Sequence, residues 1–204
     1  MFKSALLCAL CALCALLYAT PALSQFTNLP DVEPGVFNVS TRIEIYNTTL
    51  DAAWDALTDF ANYPVWNPFV RYAVVTSPLN MTLPEQRPAE GKKAYFRVQI
   101  PSLPLPVNED TPDNLLHTQS SYELITAVQR DLGRLAWKYY PPSPALNAER
   151  WQSITDLGNG TVLYESREVF GGTLAHVVKA TLEDGLEESF KGQGEGLKLY
   201  LESQ

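Results

Sequence analysis

From Phe37 to Ile45 the chain alternates, with Phe37, Val39, Thr41, Ile43 and Ile45 on one side and Asn38, Ser40, Arg42 and Glu44 on the other. A period of two marks a half-buried strand, because successive side chains of extended backbone point to opposite faces. The period then changes. Thr49 is placed as an N-cap before Leu50–Asp59, where Ala53, Trp54 and Leu57 share one helical face. Pro64 and Pro68 confine the next residues to a short helix and turns. Extended segments are predicted again at Phe69–Thr76 and Lys92–Ile100, the second with Ala94, Phe96, Val98 and Ile100 on one side. Four more follow in meander order: His117–Gln129, Arg134–Tyr140, Ala148–Leu157 and Thr161–Phe170. The turns between them, Asp131-Leu132-Gly133, Pro141 to Pro144 and Gly158-Asn159-Gly160, favour hairpins and an antiparallel sheet. In the tail, Leu174, Val178, Leu182, Leu186, Phe190, Leu197 and Leu201 recur at helical spacing. They predict one amphipathic helix of roughly 40 Å at 1.5 Å rise per residue. Gly185, Gly192, Gly194 and Gly196 weaken it by ~1 kcal/mol each relative to alanine, so a kink or break is expected near Gly192–Gly196. Residues 77–91 and 101–113 are Pro-rich loops. The second holds four prolines and three acids, cannot join a sheet interior, and reads as a rim loop or flap.

The first 24 residues differ from everything after them. Lys3 gives a cationic start, Ala5 to Leu17 an unbroken apolar run, and Ala22-Leu23-Ser24 a small-residue cleavage signal before Gln25. The order is that of a secretory signal peptide, since so short a run falls below the ~20 residues that a membrane span needs. All three cysteines, Cys8, Cys11 and Cys14, lie inside it. The mature chain is therefore expected to reach a secreted or secretory-lumen location with no disulfide, no thiolate metal site and no cysteine nucleophile. Four Asn-x-Ser/Thr sequons, at Asn38, Asn47, Asn80 and Asn159, support export and predict surface glycosylation. The net charge of −8, one unit more negative without Lys3, argues against nucleic acid and anionic membrane surfaces, which need a clustered basic face. The expected organisation is a leader at 1–24, an N-terminal segment at 25–36, and one domain at 37–204 with no membrane span.

Three groups of residues carry a family resemblance. Thr41-Arg-Ile-Glu-Ile45, Trp54-Asp-Ala-Leu-Thr-Asp-Phe60 and Asn62-Tyr-Pro-Val-Trp66-Asn-Pro-Phe69 resemble the opening of an SRPBCC (START-like) domain. Leu135-Ala-Trp137, Glu149-Arg-Trp151 and Glu168-Val-Phe170-Gly171 are similar to strands of its polyketide cyclase/dehydrase subgroup. The likeness spans about residues 37–202. It implies an α+β helix-grip fold: a curved antiparallel sheet of about seven strands around a long C-terminal helix, with two short helices after the first strand. It also implies a hydrophobic pocket. The two Pro-rich loops are longer than the subgroup usually has, which rebuilds the pocket mouth.

No strong catalytic motif is present, and no phosphate loop or dinucleotide fingerprint, so no cofactor is expected. His117 and His176 lack paired spacing, and no metal site is expected. The strand charges are more informative. Alternation gives Arg167 and Glu168 opposite faces, so one of them points inward. A carboxyl in an apolar cavity is held protonated by desolvation and serves as an acid or base near neutral pH. The alternative is a structural ion pair with Arg150 or Arg167. Glu168, Arg167 and Tyr139 are accordingly the candidate catalytic residues. Trp66, Asn67, Phe96, Tyr122, Trp137, Arg150 and Trp151 are the candidates for touching a ligand. Three functions follow: a cyclase, isomerase or dehydratase acting on a polyketide- or terpenoid-like molecule of secondary metabolism; a carrier of a lipid, sterol or metabolite; or an interaction protein with a vestigial pocket. Charges on the pocket strands favour the enzyme, because a pure lipid carrier needs few.

Overall fold

The computed structural model describes residues 26–204. The expected leader, its three cysteines and its cleavage site lie outside them. The elements run β1 (Phe37–Ile45), α1 (Leu50–Thr58), a 3-10 turn (Phe60–Asn62), α2 (Tyr63–Trp66), β2 (Val70–Thr76), β3 (Lys93–Gln99), β4 (Thr118–Gln129), β5 (Arg134–Tyr139), β6 (Asn147–Gly158), β7 (Thr161–Gly171) and α3 (Ala175–Glu202). The strands form one seven-stranded antiparallel sheet in the order β1-β7-β6-β5-β4-β3-β2. Strands β2 to β7 are a meander, and β1 joins it by pairing with β7. This is the helix-grip architecture that the sequence resemblance implies. Among the described residues no helix is long and apolar enough to cross a membrane.

Alternation fixes which face of the sheet is buried. In β1, Phe37, Val39 and Ile45 are buried while Asn38 and Ser40 are exposed. Phe37 stacks on Phe170 of β7 with ring centroids 4.6 Å apart, so the first and last strands meet through an aromatic pair as well as a ladder. The Thr49 hydroxyl accepts from Ala52 N at 3.2 Å and starts α1, which buries Ala53, Trp54, Ala56 and Leu57.

Helix α3 runs unbroken for 28 residues, so the expected break at Gly192–Gly196 does not occur. The glycines are points of close approach instead. A Cβ at Gly196 would stand 2.4 Å from the Trp66 carbonyl oxygen, and one at Gly192 would stand 2.6 Å from Ser102 Oγ. A Cβ at Gly194 would stand 3.2 Å from Thr41 Oγ1 of β1. The propensity lost at each glycine is offset by seating the helix directly on its neighbours.

The loop at 101–113 is a tied cover rather than a free flap. The buried Arg71 guanidinium donates to the carbonyls of Pro64, Asn67, Asn108 and Thr111 at 2.6, 3.1, 2.8 and 3.1 Å. Asp113 pairs with Arg97 at 2.8 Å, and Leu103 is buried. The other long loop closes the β2 edge: Leu83 N donates to Val75 O, and Gln86 Oε1 accepts from Val75 N at 2.9 Å. The N-terminal segment crosses the outer face of the sheet. There Asn28 N donates to Glu165 Oε2 at 3.0 Å, and Arg42 donates to Phe26 O at 2.8 Å.

Gly196→Ala should destabilise the fold by about 1–3 kcal/mol, because the clash is with backbone and overpacking outweighs the gain in helix propensity. Urea unfolding checks this; an unchanged or raised midpoint would mean that the close approach is not needed.

Candidate functional site

The inner faces of β3 to β7 and the first half of α3 enclose a cavity of ≈ 170 Å³. Phe69, Phe96, Trp137, Tyr139 and Phe170 give it aromatic walls, and Ile100, Leu146, Val178 and Leu182 line the end nearest the start of α3. Three charged side chains, Glu123, Arg150 and Glu168, also line it.

Arg150 is 3% exposed. Its Nε donates to Ser166 Oγ at 3.1 Å and its Nη2 to Gln193 Oε1 at 3.0 Å. Its guanidinium carbon lies 4.0 Å from the Phe190 ring centroid. Beneath it, Gln193 Nε2 donates to Gln152 Oε1 at 3.0 Å and to the Tyr164 hydroxyl at 3.1 Å, and that hydroxyl donates to Gln152 Oε1 at 2.7 Å. The network joins β6, β7 and α3 and gives the buried cation neutral partners at Nε and Nη2. Among the described residues, Arg150 Nη1 has no protein partner.

Glu168 is the cross-strand neighbour of Arg150, is half-buried, and lines the cavity. Burial pushes its carboxyl up to about 7, against the opposing pull of Arg150. Glu123, on β4, is 5% exposed, and its Oε2 has no hydrogen-bond partner. Burial pushes Glu123 up to about 8, helped by the charge of Glu168 and opposed by Ser121 and Arg150.

The structure brings together Phe96, Trp137, Tyr139, Arg150 and Glu168 from the sequence candidates. Three others face the opposite way. Arg167 lies on the outer face and donates to Pro30 O. The Trp151 indole donates to Glu149 Oε1 at 2.8 Å on that face, and Tyr122 is 40% exposed beside Tyr95. Each follows from strand alternation, since Arg167, Trp151 and Tyr122 adjoin the inward Glu168, Arg150 and Glu123. Trp66 and Asn67 also lie away from the cavity. Trp66 packs between Tyr63 and Tyr200, and Asn67 Oδ1 accepts from Phe69 N and Val70 N, both at 2.9 Å, to start β2. The ion-pair alternative for Glu168 is not realised, because Arg150 bonds to Ser166 and Gln193 while Arg167 reaches Pro30.

Glu123 and Gln193 were not among the sequence candidates. Their signals are phase signals: Glu123 shares the face of Ile125 and Ala127, and Gln193 shares that of Leu186, Phe190 and Leu197.

No protein-family model matches the chain, and no curated protein sequence does. Solved structures do. The hypothetical protein jhp0584 from Helicobacter pylori is similar at a TM-score of 0.63 and 10% identity, over 86% of this chain and 99% of that one. TTHA0849 from Thermus thermophilus is similar at 0.55 and 10%, over 82% and 98%. Ms6760 from Mycobacterium smegmatis is similar at 0.54 and 13%, over 85% and 98%. At these identities the likeness is one of fold alone, the helix-grip architecture described above.

The raised carboxyls predict the sign of a pH effect. The folded state holds protons on Glu123 and Glu168 that the unfolded chain has already released, so stability falls as pH rises from the ordinary carboxylate range through about 8. Glu123→Gln should raise stability at pH ~8.5 and change it little at pH ~4.5. Denaturant midpoints at the two pH values check this, and greater destabilisation at the higher pH would reverse the assignment.

Proposed function

We propose that this protein is a cyclase-, isomerase- or dehydratase-type enzyme that moves a proton on a small, hydrophobic polyketide- or terpenoid-like molecule. The observation that carries this reading is the pairing, in one apolar cavity, of a carboxyl poised near neutral pH with a buried guanidinium that has a free nitrogen. A cavity of ~150 Å³ accepts a benzene-sized body. At ≈ 170 Å³ the cavity takes one ring or a comparable reacting portion of a longer guest.

Glu168 in its ionised form takes a proton from a carbon beside a carbonyl. The C–H electron pair moves onto the carbonyl oxygen, where Arg150 Nη1 stabilises the developing negative charge. Between the two steps the proton on Glu168 exchanges with solvent; its return to a second carbon completes an isomerisation, and its delivery to a β-hydroxyl, as the enolate electrons form the C=C bond and the C–O bond breaks, releases water and completes a dehydration. The low-dielectric walls strengthen the Arg150 interaction.

Export is part of the proposal. The leader sequence supports it, and so does the placement of the four sequon asparagines, all exposed. Asn47, Asn80 and Asn159 stand in left-handed turn conformations, with φ of 54, 61 and 53°. Expression in a secreting eukaryotic host should give a chain beginning at Gln25 whose mass drops on glycosidase treatment. An intact N-terminus and an unchanged mass would remove this part.

The catalytic part is tested by incubating purified protein with metabolite extract of its source in D₂O. The expected result is deuterium in one compound beyond one equivalent of protein, at a rate that rises with pH through about 7 as Glu168 ionises. Glu168→Gln should lose roughly 10²-fold or more of that rate with the fold intact. Stoichiometric recovery of an unchanged, undeuterated compound would make the protein a carrier.

A further inference from the structure

The cavity contains one cation and two carboxyls, and the three are not equivalent. Arg150 is held from below by Ser166 and Gln193 and is the cross-strand neighbour of Glu168, whose pKa it lowers against burial. Glu123 stands apart. It projects from β4 between Ala94 of β3 and Tyr139 of β5, its cross-strand neighbours. Among the described residues it forms no ion pair, and its buried Oε2 accepts no hydrogen bond. Phe96, Trp137 and Tyr139 line the same cavity, and aromatic rings attract a nearby cation.

We propose that Glu123 is the recognition site for a protonated amine, so that the small, ring-sized guest of the cavity carries an ammonium group. An ammonium group supplies the donor that Oε2 lacks and the positive charge that leaves two carboxylates matched by two cations. A neutral alcohol satisfies the hydrogen bond but not the charge. A carboxylate guest is drawn to Arg150 and leaves Glu123 unpartnered. The charged and titratable groups facing Glu123 are Tyr139 from β5, Arg150 from β6 and Glu168 from β7; β3 contributes Phe96, and α3 only Val178, Leu182 and Leu186. Glu123 is held mostly protonated at neutral pH, so capture of a cation there expels a proton. The inference rests on the cavity being the binding site and is independent of whether Glu168 catalyses.

Three probes with one ring body and different heads test it: 2-phenylethylamine, 2-phenylethanol and phenylacetate, titrated into the purified protein near neutral pH and followed by chemical-shift changes and proton release. The amine should bind at least about tenfold tighter than the alcohol, the factor that a charge-assisted hydrogen bond to a buried group carries, and should release protons. Glu123→Gln should abolish both the preference and the release while leaving alcohol binding in place. Equal binding of amine and alcohol, tightest binding of phenylacetate with proton uptake, or a preference that survives Glu123→Gln would each overturn the inference and leave the cavity reading intact. Failure of all three probes to bind would overturn the cavity reading, and this inference with it.

Discussion

A guanidinium buried in the interior is costly unless its donors are occupied, and the arrangement around Arg150 meets that demand at Nε and Nη2. Ser166 comes from β7, Gln193 from α3, and the Phe190 ring covers one face of the ion. Gln193 is itself fixed by Gln152 and Tyr164, so the cation is anchored through a network that spans the helix and two strands. The same cation lines the hollow.

The helix that closes this hollow is placed by what it lacks. Its glycines bring its backbone against the Trp66–Pro68 turn, Ser102 and β1, and larger residues there would push it away. Arg71 then ties the Pro-rich loop to this turn, donating to the Pro64 and Asn67 carbonyls on one side and to those of Asn108 and Thr111 in the loop. Two features that weaken regular structure locally, glycine in a helix and proline in a long loop, fit together as one packed surface.

Much of the fold was legible because one face of nearly every element is apolar. The strands at 37–45, 134–140 and 161–170 and the tail helix follow from period alone, and Thr49 marks the start of α1 by its side-chain oxygen. The continuity of α3 was not legible, since propensity counts the cost of glycine and cannot count the contacts that glycine permits. The site was half legible for a related reason. Sequence places Glu168 and Arg167, Arg150 and Trp151, or Tyr122 and Glu123 on opposite faces, but chemical interest was assigned to both members of some pairs and to the wrong member of the last. Strand phase, read strictly from Ile125 and Ala127, puts Glu123 inside. Gln193 is harder to find, because a polar residue on the buried stripe of a helix is informative only once a buried partner is known.

The pairing of β1 with β7 has a consequence for how the chain reaches this state. Strands β2 to β6 each pair with their immediate successor, and those hairpins can form as the polypeptide lengthens. The first strand has no partner until the last has been made, and its Phe37 must wait for Phe170. Such a long loop closure is slow relative to hairpin formation, and until it happens the apolar side of the opening strand is exposed to whatever surrounds it. The nascent chain therefore carries its greatest risk of misassembly at its beginning, and relief comes only when synthesis is nearly finished.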